Sequence, residues 1–232
     1  MGLSHSPSIV LDGLVSYWDA SNTRSYSGSG DWLDMSSFGY NLLVRNSPTF
    51  VKSGGLGYFT LNGTNQDFYL ASYPLTFSSI TYNLWVWRNG TQSRYTALVM
   101  NRGNATGFTY PDPASSLGYH WADGGYTYFS GVDTANQTWA MATLTVSATE
   151  AKWYLNGILQ NTRVIGHSPT TFTNLYIGSD TPDGTRYYNG RISMVQIYNR
   201  ALTASEILRN YDATKTRSVS YTHLTLPTIY SV

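Results

Sequence analysis

Residues 187–207 read Tyr-Tyr-Asn-Gly-Arg-Ile-Ser-Met-Val-Gln-Ile-Tyr-Asn-Arg-Ala-Leu-Thr-Ala-Ser-Glu-Ile, and they run from a strand almost directly into a capped helix. Few folds use that order. Thr203-Ala-Ser-Glu206 is a capping box, in which the Thr hydroxyl accepts from the third amide and the Glu carboxylate reaches back to the cap. Ile207, Leu208 and Tyr211 give the helix one apolar stripe, which predicts an end near Tyr211. Such a stripe is enough to dock on the edge of a β-sandwich and too little to fold alone.

The rest of the chain supplies the β scaffold. Strand-like runs bounded by turn residues fall at 14–18, 57–61, 68–71, 80–87, 96–100, 117–121, 126–129, 139–147, 152–155, 158–164, 175–177 and 191–198. With 20 Tyr, 7 Trp and 8 Phe, and 12% charged residues, the composition is that of strands and turns. Its 232 residues suit one β-sandwich with a full core rather than two domains. The expected fold is all-β, a two-sheet antiparallel jelly-roll sandwich with one short C-terminal helix. Asn156-Gly157 is the strongest hairpin signal, because both residues tolerate positive φ. Alternation puts Ile80, Tyr82, Leu84 and Val86 on one face of their strand and Asn83, Trp85 and Trp87 on the other.

Composition also excludes functions. Net charge is +1, and the 11 Arg and 3 Lys form no basic run, which disfavours nucleic-acid binding. The absence of Cys removes disulfides and thiolate metal sites. No apolar run approaches the roughly 18 residues of a membrane span, so insertion is not expected, and no export signal is readable at the start. Residues 1–9 read as a disordered leader, 10–213 as the domain and 214–232 as a tail.

Several motifs now line up in an order that resembles the concanavalin A-like lectin/glucanase superfamily in its laminin-G-like branch. Gly13-Leu-Val-Ser-Tyr-Trp18 is similar to the family's opening strand, Leu61-Asn-Gly-Thr-Asn-Gln-Asp-Phe68 to its early turn, and Trp153-Tyr-Leu-Asn-Gly157 to its hairpin. Residues 80–87 and 139–146 resemble two of its strands, and Asn189 to Ile207 its closing segment. Asp19 to Asp34 resembles the variant frequent in phage and viral-metagenome proteins. The resemblance covers 10–212 and implies the same sandwich. Two departures weaken any metal or polar role that it implies: Ser193-Met194 stands where the family has an acidic pair, and Asn62 where it has Asp. Residues 218–232 resemble a translated sequencing adaptor and are set aside.

The superfamily includes glucanases, yet retaining hydrolysis needs two carboxylates about 5 Å apart, which a strand supplies as Glu-x-Asp-x-Glu. This chain has two Glu, Glu150 beside a turn and Glu206 in the capping box, and no such run. The expectation is no enzymatic activity. His120 and His167 show no zinc spacing. No cofactor is required; Ca2+ is the plausible ion, with Asp34 and Asn41, or Asn65 and Asp67, as candidate ligands on turns.

Binding has positive support. Sugars present apolar faces ringed by hydroxyls, so their sites need aromatic platforms flanked by polar side chains. Asn83, Trp85 and Trp87 have this chemistry, and Lys152 and Tyr154 are expected on the same side. The alternative is that these aromatics are covered. A second candidate is the stretch from Asn101 to Tyr128, with Tyr110, Tyr119, His120, Trp121, Asp123, Tyr126 and Tyr128. The sequence-based expectation is a carbohydrate-binding or adhesion module of a phage structural or tail-fibre-like protein, at a virion surface or extracellular, with glycans as partners. The alternative is a decoration module binding only a virion or cell-surface protein.

Overall fold

The computed structural model describes residues 8–111, 116–122, 126–180 and 185–217. Asp123, the side chain of Tyr126, and residues 1–7 and 218–232 lie outside the described residues. Two large antiparallel sheets pack face to face, as expected. The eight-stranded sheet runs, in spatial order, Ile158–Val164, Glu150–Leu155, Trp139–Val146, Ile80–Arg88, Asn189–Tyr198, Leu56–Asn62 and Thr49–Ser53. Asn189–Tyr198 shares one edge between two partners: its first residues pair with Leu56–Asn62 and its last with Leu14–Asp19. The seven-stranded sheet runs Tyr126–Asp133, Ser116–Trp121, Thr106–Tyr110, Thr96–Asn101, Leu175–Ile177, Asp67–Leu70 and Leu43–Arg45. Thr76–Phe77 and Thr170–Thr171 form a small third pair.

Alternation places the core as expected. Ile80, Tyr82, Leu84 and Val86 face the other sheet and are buried with Trp18, Phe59, Phe68, Phe108, Tyr119, Trp153 and Ile197. Asn156 and Gly157 take φ of 51° and 82°, the turn that their sequence signals.

Five strands exceed the sequence-based expectation: 43–45, 49–53, 76–77, 106–110 and 170–171. They are short, and 106–110 carries Gly107 at its centre. That glycine is required by packing, since a Cβ there would lie 2.2 Å from the Val99 carbonyl oxygen. Register, not local propensity, makes these residues strands.

The helix spans Ala204–Thr214, three residues beyond the expected end near Tyr211, and a 3-10 turn continues it to Arg217. Both halves of the capping box form. The helix lies on the outer face of the eight-stranded sheet, where Tyr17, Trp85, Met141, Tyr154, Met194, Tyr198, Leu202 and Ile207 make a second apolar cluster. The first described residues close over it as well: the Val10 N–H donates to Asn210 Oδ1 at 2.8 Å, and the Tyr198 hydroxyl donates to the Val10 carbonyl at 3.0 Å. Arg209 Nε donates to the Ser8 carbonyl at 2.7 Å.

Candidate functional site

The outer face of the eight-stranded sheet is divided by the helix, and the expected sugar platform is divided with it. Asn83, Trp85 and Tyr154 are buried, while Trp87 remains partly exposed. Trp85 sits under the helix, stacked on Tyr211 with ring centroids 5.8 Å apart, and its indole N–H donates to Thr214 Oγ1. Asn83 is the centre of a buried polar chain: its amide donates to Gln196 Oε1 at 2.7 Å, and its Oδ1 accepts from the Thr143 hydroxyl at 2.5 Å. Lys152 and Tyr154 do lie on this face, in register with Thr145 and Thr143. Tyr154 packs in the cluster beneath the helix and Lys152 pairs with Glu150 at 2.5 Å. Trp85 and Tyr154 are therefore core to a second layer, because the capped helix needs an apolar seat and they provide it, while Asn83 is spent in the buried polar chain.

Beyond the helix the same face stays open. A row of side chains crosses four strands, with Trp139 opposite Trp87, Trp87 opposite Arg191 and Arg191 opposite Thr60. Tyr58, two residues along from Thr60, leans over the row. The Arg191 guanidinium lies 4.0 Å from the Trp87 ring centroid and 5.1 Å from that of Tyr58, and Tyr58 meets Trp139 edge-on at 5.6 Å. All four side chains are partly exposed. Among the described residues the indole N–H groups of Trp87 and Trp139 and the Tyr58 hydroxyl engage no protein acceptor. At the end of the row Asn89 donates to Asn189 Oδ1 at 3.2 Å, beside Gln137, so the aromatic cluster has an amide rim. Gly190 makes the approach possible: a Cβ there would lie 2.4 Å from the Trp87 carbonyl oxygen.

Of this cluster, sequence reasoning found Trp87 and missed Tyr58, Trp139 and Arg191. Their signal was present as period-two alternation within three separate strands. Which strands are neighbours is a tertiary fact that alternation does not contain.

The second candidate stretch falls on the other sheet. Tyr110, Tyr119 and Trp121 are fully buried and Tyr128 nearly so; they face the core rather than a ligand, which corrects the reading of 101–128 as a binding loop. The stretch is strand for most of its length, so alternation sends these aromatics inward. His120 points outward and is partly exposed. Tyr95 meets it edge-on at 5.4 Å, and Arg186 stacks on Tyr95 at 5.0 Å. Asp180 binds both Arg186, at 2.5 Å, and Arg102, at 3.0 Å. Burial lowers the His120 pKa, against the opposing pull of Asp180. His167 is a core residue, bonded to the Tyr119 hydroxyl at 2.7 Å.

The candidate calcium ligands are committed elsewhere. Asp34 Oδ1 accepts from the Tyr17 and Ser36 amides, and Oδ2 from the Ser36 hydroxyl and the Tyr40 amide, all within 2.7 to 2.9 Å. Asn41 Oδ1 accepts from the Asp34 amide at 3.0 Å. Asp67 is fully buried, bound in two places by Arg45 and also by the Ser179 hydroxyl, and Asn65 Oδ1 accepts from Asn62 at 2.9 Å. Calcium is held by carboxylate, carbonyl and water oxygens, and in both pairs the side-chain oxygens are spent within the protein: these carboxylates brace loops and neutralise an arginine. The departures at Ser193 and Asn62 are structural too. Ser193 Oγ donates to the Gly57 carbonyl at 2.6 Å, and Asn62 Oδ1 accepts from the Thr64 amide at 2.9 Å.

The family model described as concanavalin A-like lectin/glucanases superfamily matches residues 62–208, well over half of the chain. The chain belongs to this superfamily. No curated protein matches it in sequence. This superfamily member is similar in structure to domain 4 of AbnA, an extracellular arabinanase of Geobacillus stearothermophilus solved in complex with arabinotriose. The TM-score is 0.67 at 15% identity, over 85% of this chain and 98% of that one. It also resembles the botulinum neurotoxin type G receptor binding domain, with a TM-score of 0.63 at 14% identity over 86% of this chain and 51% of that one. A third likeness is to Trypanosoma rangeli sialidase in complex with the inhibitor DANA, with a TM-score of 0.63 at 16% identity over 93% of this chain and 36% of that one. The superfamily member thus matches nearly the whole of the first neighbour, about half of the second and about a third of the third. At these identities the likeness is one of fold.

Proposed function

We propose that this chain is a non-catalytic carbohydrate-binding or adhesion module, and that its site is the open end of the eight-stranded sheet at Trp87, Trp139, Tyr58 and Arg191. The observation that carries the reading is an aromatic cluster, partly exposed, whose indole and phenol donors have no partner among the described residues and whose rim is made of amides. Ring faces take the apolar side of a pyranose, and unspent donors take its hydroxyls. A fold on which one neighbour has been solved with arabinotriose supports the ligand class. The non-catalytic part of the reading is supported by the commitment of both Glu side chains, Glu150 to Lys152 and Glu206 to Arg200. No cofactor enters it. The phage structural or tail-fibre context, at a virion surface or extracellular, is supported by the resemblance of residues 19–34. No helix among the described residues is long and apolar enough to cross a membrane.

One feature favours a second reading, a decoration module that binds protein. The edge strand Ile158–Val164 is exposed along its whole length, with Ile158, Leu159 and Val164 all in solvent. An apolar open edge is a template for strand pairing. A glycan array separates the two. The lectin reading expects signal that falls when Trp87 becomes Ala in a chain with unchanged melting, and silence across the array would leave the decoration reading standing.

A further inference from the structure

Five arginines among the described residues lie over aromatic rings, and of these Arg45, Arg186 and Arg191 differ in one respect. Arg45 lies over Tyr69 and Tyr176, and its charge is met by buried Asp67. Arg186 lies over Tyr95, and its charge is met by buried Asp180. Arg191 lies over Trp87 and Tyr58 with no carboxylate beside it, and among the described residues none of its N–H groups has an acceptor. Its Nε is shut off from solvent and still unpartnered. An incoming ligand therefore meets the two Nη groups, which reach solvent and have no acceptor among the described residues.

We infer that Arg191 is the anchor for a carboxylate, and hence that the sugars this module takes are acidic ones. The inference rests on the glycan-binding reading of the same cluster. Trp87 and Tyr58 hold the guanidinium carbon 4.0 and 5.1 Å from their ring centroids, and its Nη edge is the part free to bond outward. A planar carboxylate matches that edge with two parallel hydrogen bonds, which a neutral hydroxyl does not. The rings of Trp139 and Tyr58 stand within the span of one sugar ring, so stacking and charge pairing act on the same residue of the glycan. The charge of the cluster is complementary to an anion, since Arg191 is not neutralised from within. A carboxylated sugar has two common sources, a uronic acid or a sialic acid, with the same recognition chemistry.

Calorimetric titration of the full chain with four probes tests this: tetragalacturonate and its methyl ester, and sialyllactose and lactose. The expected result is that at least one acid binds and that its neutral counterpart binds roughly ten- to a hundredfold more weakly, the worth of charge-assisted hydrogen bonds. Which acid binds identifies the source. Arg191→Gln is expected to erase the preference, and Arg191→Lys to restore part of it, since the charge returns without the fork. Should Arg191→Gln not fold, the acid and ester comparison on the unaltered chain still decides. Equal binding of acid and ester, acid binding that survives in a folded Arg191→Gln chain, or binding confined to neutral polysaccharides would each overturn the inference while leaving the glycan reading intact. Failure to bind these probes and a panel of neutral polysaccharides would overturn both.

Discussion

The indole N–H of Trp85 donates to the Thr214 hydroxyl at 2.8 Å, joining residues 129 positions apart. Thr214 in turn donates to the Asn210 carbonyl at 2.7 Å, so the last turn of the helix is tied to the middle of the sheet. A tryptophan with the composition of a sugar platform is thereby a seat for the helix, and two positions along the strand Trp87 is left to face solvent.

The two tryptophans should separate cleanly under substitution. Trp85→Ala leaves a cavity beneath the helix and takes from the Thr214 hydroxyl the donor it accepts from, and it is expected to cost about 3–5 kcal/mol in urea unfolding. Trp87→Ala, at a partly exposed ring, is expected to cost about 1 kcal/mol or less and to remove glycan binding. Comparable losses of stability for both would show that the open cluster is packed as tightly as the covered one.

Acid should weaken the helix through a single side chain. The Arg200 guanidinium and the Thr203 cap hold the Glu206 carboxyl near a pKa of about 2, below its ordinary 4.5. Ionised Glu206 therefore favours the folded state above about pH 5, and this contribution fades as pH falls toward 2. Solvent screens the pair, so the effect is modest. Melting curves are expected to place Glu206→Gln below the unaltered chain at pH 7 and level with it near pH 2. A gap that stays constant across that range would mean that the loss comes from packing.

Asp67 is the most exacting of the buried carboxylates, with Arg45 and Ser179 both depending on it. Asp67→Asn is expected to destabilise by about 3–5 kcal/mol, because it leaves Arg45 without its counter-charge. Equilibrium denaturation reads this directly, and a loss under about 1 kcal/mol would mean that solvent compensates Arg45 from its exposed side.

Much of this molecule was legible before its structure. Alternation placed Ile80, Tyr82, Leu84 and Val86 in the core, and Thr203 with Glu206 set the start of the helix. What alternation cannot contain is what covers the other face. Asn83, Trp85 and Trp87 are alike in sequence, and only the seat of the helix distinguishes them. Tyr119 and Trp121 failed as binding residues for the complementary reason: aromatic and glycine-rich sequence reads as a loop until neighbouring strands claim it. Asp34 read as a metal ligand because a loop brace and a calcium site use the same residue types.

Calcium gives a direct check on that last distinction. Millimolar calcium is expected to leave the melting temperature where it is, since the oxygens of Asp34 and Asp67 are already engaged. A rise reversed by a chelator would reveal a set of oxygens beyond the two pairs considered.

The clasp of Ser8 and Val10 against Arg209 and Asn210 has an architectural consequence. A sandwich whose first and last described segments lie side by side can be let into a surface loop of a host protein with both connections leaving from one spot. Because the clasp sits on the helix-covered part of the sheet and Trp87 lies beyond the helix, such an insertion would leave the aromatic cluster clear of the host.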